Sequence, residues 1–456
     1  MSVTSVEADV CIVGAGFAGL TAARELTKQA RSVLVLEARE RVGGRIWTET
    51  VDGIRIDRGG AWFSPLHEPG LAMAAELGVG TYKTYCGGHH LLIGDGKTRR
   101  YKGLIPNISP AALVTIALAQ SRLNRMSKKV PVEQPWLARN AADWDQQTIG
   151  SWFAGTRISS AIGRALFEMA LRGLMGTDLD DVSLLHLLFL AHAHGGIDKL
   201  FAIEGGAQEN LVTGGMGEIA FRTAADLGDD QVRLNAPVRR IAQQGSGAVV
   251  EADGCTVSAR HVIVAVPPAL ALEIDFDPAL PDDRASLYKV SVAGEETKTL
   301  LVYDEPFWRT DGLSGQSAEP GSASEVTIDA SPADLSAGVL ASFTFGPVAA
   351  SLDRTPEAQR REAVLAALAT RFGPRAAQPS AYVETAWWNE PWSRGCSFAH
   401  LAPGALTQHG HLIRAPMGRV HWAGTETATL SHGAVDGAIR SGQRAAREVL
   451  ERGDAR

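Results

Sequence analysis

The feature that most restricts what this chain can become is the run VCIVGAGFAGLTAAREL, in which Gly14, Gly16 and Gly19 follow directly on an apolar, β-branched stretch. VCIV has the composition of a buried strand, and AGLTAARELTKQ has the spacing of an amphipathic helix. A strand that turns through G-x-G-x-x-G into a helix gathers free backbone N–H groups and the positive end of the helix dipole at one point, as a pyrophosphate requires. Glycine is needed there because a side chain would stand between the backbone and the anion. Ala15 and Ala18 keep the intervening positions of GAGFAG small. SVLVLE then reads as a second strand. Glu37, 18 residues past Gly19 (37 minus 19), stands at its end, placed to accept hydrogen bonds from a ribose hydroxyl. Residues 9–37 thus form a βαβ unit with a dinucleotide site; the alternative is a glycine-rich turn without a ligand.

The motif alone does not separate NAD from FAD. The continuation EARERVGGR discriminates: Arg39, Gly43, Gly44 and Arg45 supply charge and close backbone approach for a second phosphate contact. That arrangement suits a cofactor buried lengthwise.

The remaining chain can build a second domain, since 456 residues with 45% apolar content allow two units of roughly 100 to 200 residues each. A net charge of -7 provides no basic face for a phosphate backbone, so nucleic acid is excluded as a partner. Cys11, Cys86, Cys255 and Cys396 are far apart and form no C-x-x-C pair, which argues against a disulfide framework or zinc site and for a reducing cytoplasm. His400, His409 and His432 lack metal-ligand spacing with nearby carboxylates and read as ordinary histidines, so no metal is expected. The N-terminal stretch shows no basic region followed by an apolar run. The most apolar stretch, Val182 to His192, is far shorter than the roughly 20 residues a membrane span needs and reads as a buried helix.

Residues from about 105 to 200 carry helical patterning, in ALVTIALAQSRLNRMSKK and ISSAIGRALFEMALRGL. QVRLNAPVRRIAQQGSGAVVEADGCTVSARHVIVAVP reads as short strands joined by turns that rejoin the nucleotide domain. TKTLLVYD, GVLASFTFG and SAYVETAWW are further strand candidates, with one amphipathic helix in PEAQRREAVLAALATRF. Gly312 to Ser324 is expected to be an exposed loop because it is rich in Ser, Gly and Pro. GRVHWAGTETATLSHGAVDGAIRSGQRAAREVL reads as a strand, a polar loop and a helix starting near Gly433.

With these stretches in view, the sequence resembles the flavin amine oxidase family, which includes monoamine, polyamine and putrescine oxidases, over nearly its whole length. The resemblance is carried by GAGFAG, LEARERVGGR, DRGGAWFSP, EGGAQENLVTGG, KTLLVYDEPFW, WWNEPWSRGC and WAGTETATLSHGAVDGA. It implies an α/β fold of two discontinuous domains. A Rossmann-like FAD-binding domain of GR2 type would comprise residues 1–80, 205–288 and 402–456. A substrate-binding α+β domain, with a mixed sheet and a helical lobe, would comprise 81–204 and 289–401. It also implies a bound FAD and oxidation of an amine C–N bond to an imine, which is hydrolysed to aldehyde or ketone while oxygen is reduced to hydrogen peroxide. Hydride would pass to flavin N5, and an apolar pocket would favour the neutral amine by desolvating its ammonium form.

The same resemblance assigns positions. Gly59, Gly60, Ala61 and Trp62 would border the flavin, and Val238 would meet the adenine end through its backbone. Gly424, Thr425 and Glu426 would contact the phosphate and ribityl region, and Val435 would donate its N–H to the ring, where a helix N-terminus stabilises negative charge. Lys298, ten residues before Trp308 (308 minus 298), matches the family lysine that reaches flavin N5 through a water. The competing reading is a surface lysine at a strand end. Cys396 in SRGC stands where monoamine oxidases bond the flavin 8-methyl carbon, but Arg394 replaces the usual glycine, so a thioether and an inert buried thiol are both open. Ser397 and Ala434 occupy the positions of two aromatic residues that flank the amine path, which implies a wider pocket. Trp62, Trp387 and Trp422 are candidates to compensate, Trp387 also bordering the cofactor. Gln208 matches a substrate-side glutamine and competes with a turn role.

Two other functions share this pattern: a flavin oxidase or dehydrogenase acting on a non-amine or amino-acid-like substrate, and a FAD-holding protein whose helical lobe is a binding surface. Lys298 argues for oxidase chemistry. Membrane-attached family members carry an apolar C-terminal tail, whereas this chain ends AAREVLERGDAR, so a soluble cytoplasmic enzyme is expected. The oligomeric state is open, and a homodimer is compatible with it.

Overall fold

Val10 to Val13 and Val33 to Leu36 are buried, which is how parallel strands covered on both faces read in a sequence. In the computed structural model, which describes residues 4–103, 106–158 and 160–453, they lie in strands β1 (Thr4–Val13) and β2 (Val33–Leu36), joined by helix α1 (Phe17–Lys28). The outermost positions of the expected nucleotide domain, 1–3 and 454–456, lie outside the described residues.

β1 pairs in parallel with β2 on one side and with Cys255–Val264 on the other. Around them an eight-stranded sheet runs in the order Val232–Arg233, β2, β1, Cys255–Val264, Gly247–Ala252, Val238–Gln244 and Asp275–Asp277, with Val420–Trp422 also pairing to Cys255–Val264. The short alternating strands expected between residues 231 and 264 are all present. The last helix, Val435–Gly453, lies along α1 so closely that a Cβ on Gly442 would stand 2.3 Å from the Ala18 carbonyl. The two ends of the sequence are therefore packed against each other around the glycine turn.

A seven-stranded mixed sheet follows the order Ala381–Ala386, Glu296–Tyr303, Gly338–Phe345, Val326–Asp329, Leu313–Ala318, His89–Gly94 and Lys97–Tyr101. Every residue of the neighbouring strands Glu296–Tyr303 and Gly338–Phe345 is buried. The amphipathic helix Glu357–Phe372 packs Val364, Leu368 and Phe372 on the face that carries Leu301, Tyr303 and Leu340. The opposite face, with Leu300, Val302, Phe343 and Phe345, packs with Ile56. Helices Pro110–Ser127, Ala161–Met175 and Leu184–Ala193 make the helical lobe. The apolar stretch identified in the sequence becomes the last of these, and nine of its ten residues are buried, which explains its lack of a polar face.

One expectation fails. Gly312 to Ser324 is not an exposed loop: Leu313–Ala318 is a strand with Leu313, Ser314, Gly315 and Ser317 buried. Its small residues serve packing, because a Cβ on Gly315 would come within 2.8 Å of Trp308 Nε1. Ser317, Ser322 and Ser324 all accept hydrogen bonds from the Arg371 guanidinium. Among the described residues no helix is long and apolar enough to cross a membrane.

Candidate active site

A cavity of ≈ 910 Å³ runs from the β1–α1 turn, past the strand Glu296–Tyr303, to the helical lobe. At its first end the three glycines do different work. Gly14 has φ +102°, a conformation open to glycine at no steric cost. A Cβ on Gly19 would lie 2.0 Å from the Gly14 carbonyl, so this glycine lets helix and turn close together, whereas around Gly16 nothing stands within 4 Å. Gly16 is thus the open floor of the cradle. Glu37 is buried and lines the cavity. Its carboxylate accepts the Ala15 N–H at 2.7 Å and the Arg39 N–H at 3.0 Å, which leaves lone pairs for a ribose. Gly14, Gly16, Ala18, Arg39, Gly43, Gly44, Arg45 and Val238 also line this end. Ala15 and Gly19 lie behind the lining. This donor set, with an uncovered glycine floor and a buried acid, fits a dinucleotide.

Glu426 differs from its expected place. It does not line the main cavity; it receives Arg45 in a two-pronged pair at 2.7 and 3.0 Å and accepts the Ala399 N–H at 3.2 Å. Arg45 also donates to the Ser397 carbonyl at 2.9 Å. The glutamate therefore fixes the arginine that faces the cavity. Gly424 and Thr425 do line it; Gly424 N–H donates to Ser441 Oγ at 3.0 Å and Thr425 Oγ1 to the Ala434 carbonyl at 2.9 Å. These bonds tie the 424–427 turn to the second turn and to the start of helix Val435–Gly453, whose first-turn N–H groups have no acceptor within the helix. Val435 and Ala434 both border the cavity there.

At the second end the polar groups converge on Lys298. Its side chain is 4% exposed, so the reading as a surface lysine is excluded. Nζ donates to the Gly59 carbonyl at 2.8 Å and stands 4.9 Å from the centre of the Trp62 ring and 5.7 Å from that of Phe343. Burial pulls this ammonium down to about 8, with Asp57 and Glu296 acting in the opposite direction. Asp57 is held by Thr48 and by the Met216 N–H at 3.0 Å, and burial raises its carboxyl, opposed mainly by Lys298. Burial likewise raises Glu296 to about 7, opposed first by Lys298. Gly59, Gly60, Ala61 and Trp62 line the same stretch. Trp62 Nε1 donates to Thr84 Oγ1 at 3.1 Å, and Thr84 donates to the Gln208 carbonyl at 2.7 Å; Gln208 itself lines the cavity. Trp387 is buried, with Nε1 donating to the Arg58 carbonyl at 3.1 Å.

Cys396, Ser397 and Ala434 border the cavity together. Arg394 adopts φ +52°, the left-handed region a glycine would favour, and its guanidinium points outward to Glu273. The loop is thus compatible with the arginine. Burial raises the Cys396 thiol, and Glu296 adds to the effect. The aromatic neighbour Phe398 does not fill the space left by Ser397. It packs against Gly433 and among His186, His400 and His432, whose rings burial holds neutral. Trp422 is a second correction: it lies outside the main cavity, under the Arg284 guanidinium and against Phe276 and Tyr288. Trp62 and Trp387 remain on the lining, joined by Phe343 and Phe345.

Sequence reasoning did not single out Asp57, Glu296, Phe343 or Phe345. For Glu296 a signal existed, since it precedes Lys298 by two positions and so shares its strand face. For the phenylalanines the alternation in FTFG was available.

Comparison with known proteins agrees in every direction. The sequence profile of flavin-containing amine oxidoreductases matches residues 17–450. A Mycobacterium tuberculosis protein named as a flavin-containing monoamine oxidase, AofH, is 42% identical over 97% of this chain and 96% of its own length. The L-amino acid dehydrogenase of a Synechocystis species is 35% identical over 98% of this chain and 95% of its own. The structure of wild-type putrescine oxidase bound to putrescine superposes with a TM-score of 0.94 at 33% identity, covering 98% of this chain and 100% of that one.

Proposed function

Because the chain belongs to the family of flavin-containing amine oxidoreductases, we propose that it is an FAD-dependent amine oxidase, converting an amine C–N bond to an imine that water hydrolyses to an aldehyde or ketone. The observation that carries this reading is the buried ammonium of Lys298 facing the same cavity as the glycine cradle. FAD, when bound, supplies the hydride acceptor and returns the electrons to oxygen as hydrogen peroxide.

The chain's residues supply place, charge and dryness. Gly14, Gly16, Glu37, Arg39, Gly43, Gly44, Arg45 and Val238 would hold the nucleotide part. Gly424, Thr425 and the N-terminus of the helix at Val435 would hold the flavin side, with Glu426 acting through Arg45. The first-turn amides at Val435 favour negative charge at this point. Lys298 keeps a cation at the substrate end. Trp62, Trp387, Phe343 and Phe345 exclude water, which favours the neutral amine over its ammonium. Gln208 contributes a hydrogen-bonding group to that wall. Cys396 is the candidate for a thioether to the cofactor. The nucleotide-binding unit would comprise 1–80, 205–288 and 402–456 and the substrate-binding unit 81–204 and 289–401. Four free cysteines suit a cytoplasmic site.

The test is anaerobic mixing of the yellow holoenzyme with a panel of amines, followed by a peroxide-coupled assay in air. Bleaching by amines and stoichiometric peroxide are expected. A flavin that no amine bleaches would overturn the reading.

A further inference from the structure

The relatives include an L-amino acid dehydrogenase as well as amine oxidases, so the substrate is open between amines with and without an α-carboxylate. The charges on the cavity bear on that choice. Among the described residues the lysines and arginines that line it are Arg39, Arg45, Arg239 and Lys298. Arg39 is taken up by Ser393, Glu37 and Glu390, Arg45 by Glu426, and Arg239 by both carboxylate oxygens of Asp253. Lys298 is bonded to the Gly59 carbonyl, with Asp57 and Glu296 in its field. The three arginines are thus held by protein partners, and the one remaining cation, Lys298, stands in the field of two buried acids, so an arriving carboxylate would meet negative charge beside the ammonium.

Of the acids on the lining, Glu37, Glu204, Glu273 and Glu296, it is Glu296 that shares a strand face with Lys298. It lies two residues before Lys298 on one strand, directly across from Phe345 as Lys298 is across from Phe343, so all four side chains share a face. It is buried and lines the cavity. Its nearest polar contacts are weak ones, Ser397 Oγ at 3.5 Å and the Cys396 thiol, which leaves acceptor capacity unused. Ser397, which makes that contact, and Ala434 line the same cavity with small side chains.

We propose that Glu296 is a specificity-determining residue: its carboxylate accepts the N–H groups of the entering amine and repels an α-carboxylate, so the site takes amines and rejects the matching α-amino acids. This rests on the amine-oxidising reading above. An arriving ammonium favours the ionised acid, in the direction opposite to the burial that raises it.

The experiment uses holoenzyme and two matched pairs, 2-phenylethylamine with L-phenylalanine and isopentylamine with L-leucine, compared by anaerobic flavin reduction. Benzoate, which cannot be oxidised there, is titrated by the change in flavin absorbance. In Glu296→Gln and Glu296→Val the preference for amine over amino acid should fall at least about tenfold, and benzoate should bind at least about tenfold more tightly than to wild type. The apolar variant keeps the test decisive if the amide disturbs the Ser397 contact. If amines bleach the wild-type flavin but neither ratio nor benzoate affinity moves in either variant, or L-phenylalanine serves wild type as well as its amine, the role of Glu296 is overturned while the oxidase reading stands. If no amine bleaches the wild-type flavin, both fall.

Discussion

A carboxyl group buried on the cavity wall should cost the folded chain free energy when it ionises, and Glu296→Gln removes that cost while keeping the side chain's shape. Burial raises Glu296 from 4.5 to about 7, against the opposing influence of Lys298, Ser397 and Cys396. A group that holds its proton more tightly when folded contributes stability below its unfolded value and loses it as pH rises through the folded one. That contribution is complete below about pH 4.5, declines to about pH 7 and is gone by about pH 8. At about 1.4 kcal/mol per tenfold in proton affinity, the loss is about 3 kcal/mol. Glutamine has no such dependence. Unfolding entropy near 2 cal/mol/K per residue, over 456 residues, makes each kcal/mol worth about 1 °C. Melting of the flavin-loaded proteins, followed by release of flavin fluorescence, should therefore show the variant's advantage opening by about 3 °C between about pH 5 and about pH 8. The charged and titrating neighbours, Lys298, Asp57, Cys396 and Arg45, are common to both proteins, and Lys298, at about 8, begins to lose its proton only at the top of this window. A difference that is flat with pH, or that shrinks as pH rises, would refute the assignment of a buried, proton-retaining acid.

Three further outcomes are expected. Lys298→Met should keep FAD bound but slow one half-reaction by about a hundredfold, as loss of an oriented charge at a reacting centre does; stopped-flow reduction and reoxidation measure it, and unchanged rates in both would remove its catalytic role. If Cys396 forms a thioether, yellow colour will stay with the acid-precipitated wild-type chain and leave Cys396→Ala; colour lost from both sinks the bond. Glu426→Gln weakens the pair with Arg45, which should lower the urea midpoint by an amount equivalent to about 2 kcal/mol and loosen FAD; equal midpoints and flavin affinity would show that the pair is idle.

Features of this protein that depend on neighbouring residues were legible in the sequence. The glycine turn, the paired strands around it and the helix Leu184–Ala193 announce themselves through spacing and apolar runs, because their partners lie within a few dozen residues or because their burial is all round. The stretch Gly312 to Ser324 misled for the converse reason. Small and hydroxyl residues mark loops by composition, yet here they clear space for Trp308 and collect hydrogen bonds from Arg371, which no local pattern records.

The same division runs through the site. Motifs could name Arg45, Gly59, Lys298 and Glu426 singly, but not which charge answers which. Arg45 meets Glu426 across 381 positions and Lys298 meets the Gly59 carbonyl across 239. Glu296, read locally, is an acid at a strand's start, where solvent is the usual neighbour. It becomes a buried acid only because pairing with Phe345 and the return of the chain at Cys396 and Ser397 close over it. The balance of charge around Lys298, with Asp57 and Glu296 in its field, is therefore a product of tertiary closure. That balance, more than the shared cradle for the cofactor, is what should separate this enzyme's substrates from those of relatives with the same fold.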